Sequence, residues 1–331
     1  MTGTALCVGP AAVDLVVEGF APSDPARLAR WTGPATVRTL AAGSIGYAAQ
    51  SLTALGRRAR LVTCVGDDAL GQEAIGQWQR AGIPTDGIVV MPGETGLAIY
   101  LRLFGDSKRP MVFRAAEFDP WPASIALDAP DPPQVVVVSG ALHFPHFAAA
   151  NLEGLLGAAR AASVPVVLDP QFAAEDRDQP WSREFAGILA HTDVLCCDER
   201  EGAQLFGSSD ASDIIDRAHA AGCRIVIVKR EHLGAVLDDG QERIYQRAIS
   251  LGSGIGSTIG SGDAFLAGVT SALLDGGSRA DLARWGTAVA TVAITAPDGI
   301  RGITRDAVDR TLGQVPAPQP LHPSQTGEAT P

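Results

Sequence analysis

Gly256-Ser257-Thr258-Ile259-Gly260-Ser261-Gly262-Asp263-Ala264-Phe265-Leu266-Ala267-Gly268 is a glycine-rich turn that runs straight into an apolar helix pattern. Gly260 and Gly262 let the backbone approach a ligand closely. The first N–H groups of the helix have no intrahelical partner. Together with the helix dipole they make an anion site suited to phosphate. Asp263 falls in the first helical turn, beside any such anion. A carboxylate there either has a task, such as taking a proton from an attacking hydroxyl, or simply caps the helix. The residues alone leave both readings open.

Outward from that turn, short β-branched runs alternate with helical patterns. Arg60–Gly66, Val135–Gly140, Val164–Pro170, Asp193–Cys197 and Arg224–Lys229 read as strands, nearly continuous in apolar character as parallel strands covered on both faces are. Helices are expected at Ala48–Leu55, Gly71–Ala81, Ala148–Ala161, Glu199–Phe206, Ile214–Ala221, Ala264–Leu274 and Arg279–Thr295. Gly56, Gly82, Gly207, Gly222 and Gly276 stand at their C-terminal stops. The alternation predicts an α/β fold with a doubly wound, mostly parallel sheet sandwiched by helices. Residues at about 16–39 and 96–114 break the rhythm. The second segment reads as paired strands, Gly96–Leu103 and Met111–Arg114, around a turn at Gly105-Asp106. A small β-strand lid over the ligand edge of the sheet is expected, within one domain spanning 1–314. Residues 315–331, rich in Pro and small polar residues, read as a disordered tail.

Composition narrows the function classes. The chain has 331 residues, 46% hydrophobic and 19% charged, with a formal net charge of −11. That balance supports a buried core and argues against non-specific binding to nucleic acid or an anionic membrane. Of 26 Lys and Arg residues only Lys108 and Lys229 are lysine, and neither follows a glycine, which excludes a Walker-type phosphate loop. The five cysteines lack a Cys-x-x-Cys pair and sit mostly in apolar runs, which fits core thiols in a reducing cytoplasm. The absence of a basic start or a long apolar run points to a cytoplasmic protein without a membrane partner.

Four other constellations invite chemistry. Ala42-Gly43-Ser44-Ile45-Gly46 half resembles a hydrolase nucleophile elbow, but no histidine stands in an evident partner position, and a helix-capping serine is the simpler reading. His143-Phe144-Pro145-His146 suggests a metal site that Pro145 spoils, leaving structural histidines. Asp198 and Glu201, three apart at a helix start, share a face that would hold a hydrated Mg²⁺ or be merely solvated. Lys229, with Gly234 after it, sets a cation and a turn at a strand's C-terminal end, as nucleotide phosphates require.

Taken together these motifs resemble the ribokinase-like (PfkB) carbohydrate kinase family over roughly residues 5–310. Gly260-Ser261-Gly262-Asp263-Ala264-Phe265 resembles its C-terminal signature, with Ser261 for Ala. Ala42 through Leu55-Gly56, then Val65-Gly66-Asp67-Asp68, Gly71 and Gly82-Ile83, resemble its N-terminal signature. The resemblance implies an ATP- and Mg²⁺-dependent kinase acting on a sugar, sugar acid or related polyol. Asp263 would be the general base, and the Gly260, Ser261 and Gly262 N–H groups the anion hole. Asp14, Gly43 and Tyr47 would line the sugar site. Independently of the resemblance, Arg102, Arg109 and Arg114 in the lid region either pair with a carboxylate or phosphate of an acidic substrate, with Arg114 as the candidate contact, or form a solvated face. Asp198, Lys229, Gly234 and Thr258 would face the nucleotide, with Glu201 and Asp198 toward the metal. A homodimer through the lid is also implied.

The departures are specific. Tyr47 replaces the signature Asn, Gln171 and Ala173 depart from an Asp-x-Asn-x-Arg pattern beginning at Asp169, and Glu231 replaces a Gly. Ser257 and Ile259 replace residues that help hold a monovalent cation in the family, so K⁺ activation is not carried over. Three other readings stay open: a nucleoside kinase of the same scaffold, a non-catalytic ligand-binding member, and an esterase using Ser44.

Overall fold

The computed structural model describes residues 3–103, 111–116, 118–127, 131–175, 177–252 and 254–321. Its centre is the strand Thr4–Val8, buried along its whole length and paired in parallel with Arg58–Gly66 on one side and Val135–Ser139 on the other. From that centre the chain winds both ways. Ile88–Met91 extends one edge; Val166–Asp169, Val194–Asp198 and Ile225–Lys229 extend the other in parallel. The direction of winding reverses between Thr4–Val8 and Val135–Ser139, and open α/β sheets bind ligands outside the strand C-termini at such a reversal. Asp169, Asp198 and Lys229 are each the last residue of their strand, so the topology alone sets three charged side chains on that edge.

Beyond Lys229 the sheet turns antiparallel, through Ala235–Asp238, Arg243–Gln246 and Gln319–Pro320. These edge strands were not expected from the sequence. The segment expected to be a disordered tail therefore differs at its start: Val315 is buried and Gln319–Pro320 pair with the sheet. Residues 322–331 lie outside the described residues. Helices Pro145–Ala161, Glu199–Phe206 and Ala211–Ala220 cover one face around Leu152, Leu156 and Phe206. Helices Ser44–Ala54, Ala69–Arg80 and Ser261–Leu274 cover the other around Ile45, Trp78 and Leu266. No helix among the described residues is long and apolar enough to cross a membrane. The cysteines are free and buried, and burial pushes the Cys7 thiol up to about 12, as expected of inert core thiols.

The lid is a separate four-stranded sheet in the order Ala35–Ala42, Ala12–Gly19, Leu97–Arg102, Met111–Arg114. It starts a few residues earlier than the sequence break suggested, and the turn at Gly105-Asp106 lies outside the described residues. Side chains alternate across it. Asp14, Val16 and Glu18 point one way with their cross-strand neighbours Leu40, Arg38, Ala98 and Tyr100. Leu15 and Val17 point the other way with Val37, Ile99 and Leu101. The first face turns to the large sheet: Val16 and Leu40 pack with Ile259 and Ile300, and Phe113 stands 6.3 Å from the His143 ring.

Candidate active site

Helix Ser261–Leu274 begins at Gly260, whose φ of +73° is left-handed. A Cβ there would lie 2.7 Å from Ile300 Cδ1 and 3.2 Å from Tyr47 Cδ2, so space as well as conformation demands glycine. Gly260→Ala is expected to lower stability by about 1–2 kcal/mol from the backbone alone, read as a lower midpoint in urea; an unchanged midpoint would contradict this geometry. Ser261 turns back on the loop, its N–H and Oγ donating to the Thr258 carbonyl at 3.3 and 3.0 Å. Gly262 keeps its backbone open toward Lys229, whose Nζ would be 3.7 Å from a Cβ at that position.

Four carboxylates converge here, each withdrawn from solvent: Asp14, Asp169, Glu201 and Asp263 are 3, 0, 4 and 7% exposed. Burial, then the Asp169 charge, raises Asp263 well above the ordinary carboxylate range, with Lys229 opposing. Lys229 is the counter-ion of the group. Its Nζ lies 2.7 Å from Asp169 Oδ2 and 3.5 Å from Glu201 Oε2. Burial works against charge on Lys229, but the Asp169 and Glu201 carboxylates outweigh it and keep the ammonium protonated. Gln171 joins this group to Asp263: its Nε2 donates to Asp169 Oδ1 at 3.2 Å and to Asp263 Oδ1 at 3.3 Å. Gln171 holds a φ of +57°, a left-handed conformation that a non-glycine residue adopts only where its surroundings impose it.

Asp198 and Glu201 come together as a capping box. The Glu201 N–H donates to Asp198 Oδ1, and the Asp198 N–H to Glu201 Oε2, both at 2.7 Å. Burial pushes Glu201 up to about 8, although Lys229 opposes it. Among the described residues no cluster of three or more His, Cys, Asp and Glu would hold a metal ion. The donor set therefore does not form a protein cage. It does fit Mg²⁺, which keeps most of its water and takes one or two carboxylates beside nucleotide phosphates.

On the lid side, Tyr47 Oη donates to Asp14 Oδ2 at 2.6 Å, with both residues buried. Gly43, at φ +78°, opens the helix that carries Tyr47. The lid arginines are not gathered as an acid-binding cluster. Arg114 pairs with Glu94 at 2.7 Å and donates to the Thr95 carbonyl at 2.9 Å, and Arg102 binds Glu18 and the Gly256 carbonyl. Arg109 lies outside the described residues. Gly234 closes the turn after Lys229, and Glu231, where the resemblance has Gly, sits at φ +48°. Among the described residues the buried Ser44 Oγ has no hydrogen-bond partner, so none of the described histidines activates it, and the helix cap beside it is Gly43. His143 is packed edge-on against Phe172 at 5.0 Å, and His146 against Trp181 at 5.2 Å. From the sequence, Asp169 and Gln171 stand only in a pattern from which this chain departs and are not counted among the site residues. The signal was an acidic residue ending the apolar run Val164–Pro170.

A model of the pfkB family carbohydrate kinases matches residues 34–305. The chain is 25% identical over 256 residues to the 2-dehydro-3-deoxygluconokinase of Dickeya dadantii, covering 70% of this chain and 79% of that protein. It is 26% identical over 278 residues to the 5-dehydro-2-deoxygluconokinase of Photobacterium profundum, covering 76% and 79%. Among solved structures, the ribokinase of Arabidopsis thaliana with ribose and ATP superposes with a TM-score of 0.73 at 22% identity, over 94% of this chain and 99% of that one. A ribokinase II-like protein from E. coli, solved with ATP and Mg²⁺, gives 0.74 at 19% identity, over 95% and 100%. The structures show the fold, and the family match spans the helix-opening turn, the buried carboxylates of the sheet edge and most of the lid: the chain belongs to the pfkB family of carbohydrate kinases.

Proposed function

We propose that the protein transfers the γ-phosphoryl group of ATP to a hydroxyl of a small sugar acid or related polyhydroxy compound, with Asp263 as general base. The observation that carries this reading is a buried carboxylate with a raised proton affinity in the first turn of a helix that opens from a left-handed glycine. Burial makes ionised Asp263 a stronger proton acceptor than a solvated carboxylate. It takes the acceptor's hydroxyl proton while the oxygen forms its bond to γ-phosphorus. The bond from phosphorus to the ADP oxygen breaks, and ADP leaves with that electron pair. The Gly260 and Gly262 backbone N–H groups, with Lys229 beside them, stabilise the charge spread over the transferring group, whereas the Ser261 N–H expected in the anion hole is turned to the Thr258 carbonyl. Glu201 and Asp198 would hold Mg²⁺, which when bound neutralises phosphate charge. Asp198, Lys229, Gly234 and Thr258 face the nucleotide, while Asp14, Gly43 and Tyr47 belong to the acceptor side under the lid; Arg114 lies by register on the other lid face, with Val112, and is engaged by Glu94 and the Thr95 carbonyl, so it takes no part in the acceptor site.

The sugar-acid class is supported by the dehydro-deoxygluconokinases among the relatives. We take no monovalent cation as necessary: Ser257 stands in the loop, and the Arg102 guanidinium already holds the Gly256 carbonyl. The test is ADP release with ATP and Mg²⁺ across sugars, sugar acids, polyols and nucleosides, in K⁺ and in tetramethylammonium buffers. Stimulation by one class in both buffers is expected. Stimulation by nucleosides alone would transfer the reading to a nucleoside kinase, and no Asp263-dependent release would leave a binding protein.

The lid supports a homodimer. Leu15, Val17, Val37, Ile99, Leu101 and Val112 share its outer face by register, with Val37 and Val112 58 and 60% exposed. A face of aliphatic side chains that large is normally covered. Val37→Glu with Val112→Glu is expected to convert a dimer to a monomer by light scattering; a monomeric wild type would overturn the assignment.

A further inference from the structure

Among the described residues the Asp263 carboxylate receives a single hydrogen bond, and Gln171 supplies it. Gln171 lies two residues beyond strand Val166–Asp169, in a loop, and Asp169 holds it twice. Asp169 Oδ1 accepts from the Gln171 N–H at 3.3 Å and from Nε2 at 3.2 Å, while Asp169 Oδ2 accepts from Lys229 Nζ at 2.7 Å. The same Nε2 then donates to Asp263 Oδ1 at 3.3 Å. A continuous run of hydrogen bonds therefore leads from the cation beside Gly262, through a completely buried carboxylate, to the amide and on to Asp263. A side-chain amide has two N–H donors on one nitrogen, so it joins two carboxylates without adding charge.

The backbone gives an independent reason to see a task here. Gln171 is left-handed at φ +57°, a conformation easy for Gly and, after it, for Asn, but costly for a longer side chain. Gln is the worse choice for this backbone, so its advantage lies in reach. Asn, which stands here in the pattern from which the chain departs, suits the backbone better but is one methylene too short to span from Asp169 to helix Ser261–Leu274 in the same way. A carboxylate in the first turn of a helix turns about its own side-chain bonds unless something holds it. That rotation decides whether an oxygen faces the acceptor's hydroxyl.

We propose that Gln171 is a positioning residue for phosphoryl transfer: its amide, anchored on Asp169, holds the Asp263 carboxylate in the orientation that meets the acceptor's hydroxyl proton. This rests on the kinase reading above and goes beyond it in assigning a residue that acts through the base. The other groups facing Asp263 are Asp169, Lys229 and Glu201 from the sheet edge, Asp14 from the lid and the Tyr47 phenol. All of them stay in place when only residue 171 is changed.

The experiment follows ADP release with ATP, Mg²⁺ and each of D-gluconate, 3-deoxy-D-gluconate, D-ribose and adenosine. It uses wild type, Asp263→Asn, Gln171→Met, Gln171→Asn and Gln171→Gly, with thermal unfolding of each. Gln171→Met keeps the length and loses the donor. It is expected to lower kcat by about ten- to a hundredfold, with KM for ATP and the acceptor changed by less than about twofold. The acid limb of its rate profile should move to higher pH, because the lost donor favoured the ionised carboxylate. Gln171→Asn falls short of Asp263 and should behave alike. Gln171→Gly suits the left-handed backbone, so it should unfold at no lower temperature than Gln171→Met and yet lose as much rate. Wild-type kcat and an unmoved acid limb in all three variants would overturn the role of Gln171 and leave the kinase reading standing. So would a raised KM at unchanged kcat, the mark of a residue that binds substrate, or a loss of rate confined to variants that unfold early. No Asp263-dependent release with any of the four acceptors would fail the kinase reading itself, and this inference with it.

Discussion

Asp263→Asn should lower kcat by about a hundred- to ten-thousandfold, the range that a positioned general base contributes, while KM for ATP and the acceptor changes little. Asn keeps the shape and its place in the first turn of helix Ser261–Leu274, so only the proton acceptor is removed. The variant should also be no less stable than wild type at neutral pH. The sign follows from burial. Asp263 has its proton affinity raised in the folded protein, so the stability it contributes is present below the ordinary carboxylate value and lost as pH rises through the folded one. A neutral amide does not suffer that loss. The stability difference, Asn over Asp, should therefore grow from pH 4 upward, and urea midpoints at several pH values measure it. In wild type the same shift places the acid limb of the rate profile above the usual carboxylate range, with the rate rising as Asp263 ionises. An inactive variant that is markedly less stable at neutral pH would instead mean that Asp263 is a structural residue.

Much of this arrangement was legible in the sequence, and the residues explain the division. The strands of the parallel core are continuous apolar runs, and a run such as Val135–Ser139 has few alternatives to a strand buried on both faces. Gly207 sits left-handed at the end of Glu199–Phe206, as its spacing predicted. The antiparallel edge was missed because Ala235–Asp238 and Arg243–Gln246 are only four residues each, too short for periodicity to be read. Their turn signal, Asp239-Gly240, was present. The site divides in the same way. The glycine turn and Asp263 are local, so spacing reveals them. The pairing of Lys229 with Asp169 bridges sixty positions and depends on two strands that flank a third, Val194–Asp198, ending at the same edge of the sheet, which no local pattern encodes. Asp198 and Glu201 read equally well as metal ligands or as a cap because one geometry serves both: carboxylates at N-cap and N3 share a face and close on the backbone.

Lys229→Met should be the most destabilising single change in the site, by about 3–5 kcal/mol, the cost of removing one partner from a buried ion pair. Lys229 is nearly buried and Asp169 completely so, at 12 and 0% side-chain exposure, which leaves no solvent to take over as counter-ion. Met keeps the apolar stem and removes only the charge. The pH dependence identifies the cause. Without the ammonium, Asp169 and Glu201 are held by burial at raised proton affinities, and Glu201 is near 8 even with Lys229 in place. Such groups lend stability below their unfolded values and lose it as pH rises through the folded ones. The deficit of Lys229→Met against wild type should thus be small near pH 4.5 and widen toward pH 8 through Asp169, with Glu201 adding to it only above about 8, a trend that lost packing would not produce. Urea midpoints across that range decide it, and a deficit that stays constant with pH would show that Lys229 acts by packing rather than by charge. Adding Asp169→Asn to Lys229→Met should recover part of the lost stability, because the double variant removes the stranded charge along with its partner. Activity should not recover with it: the cation beside Gly262 is still missing, and with it the positive charge that the transferring phosphoryl group would meet.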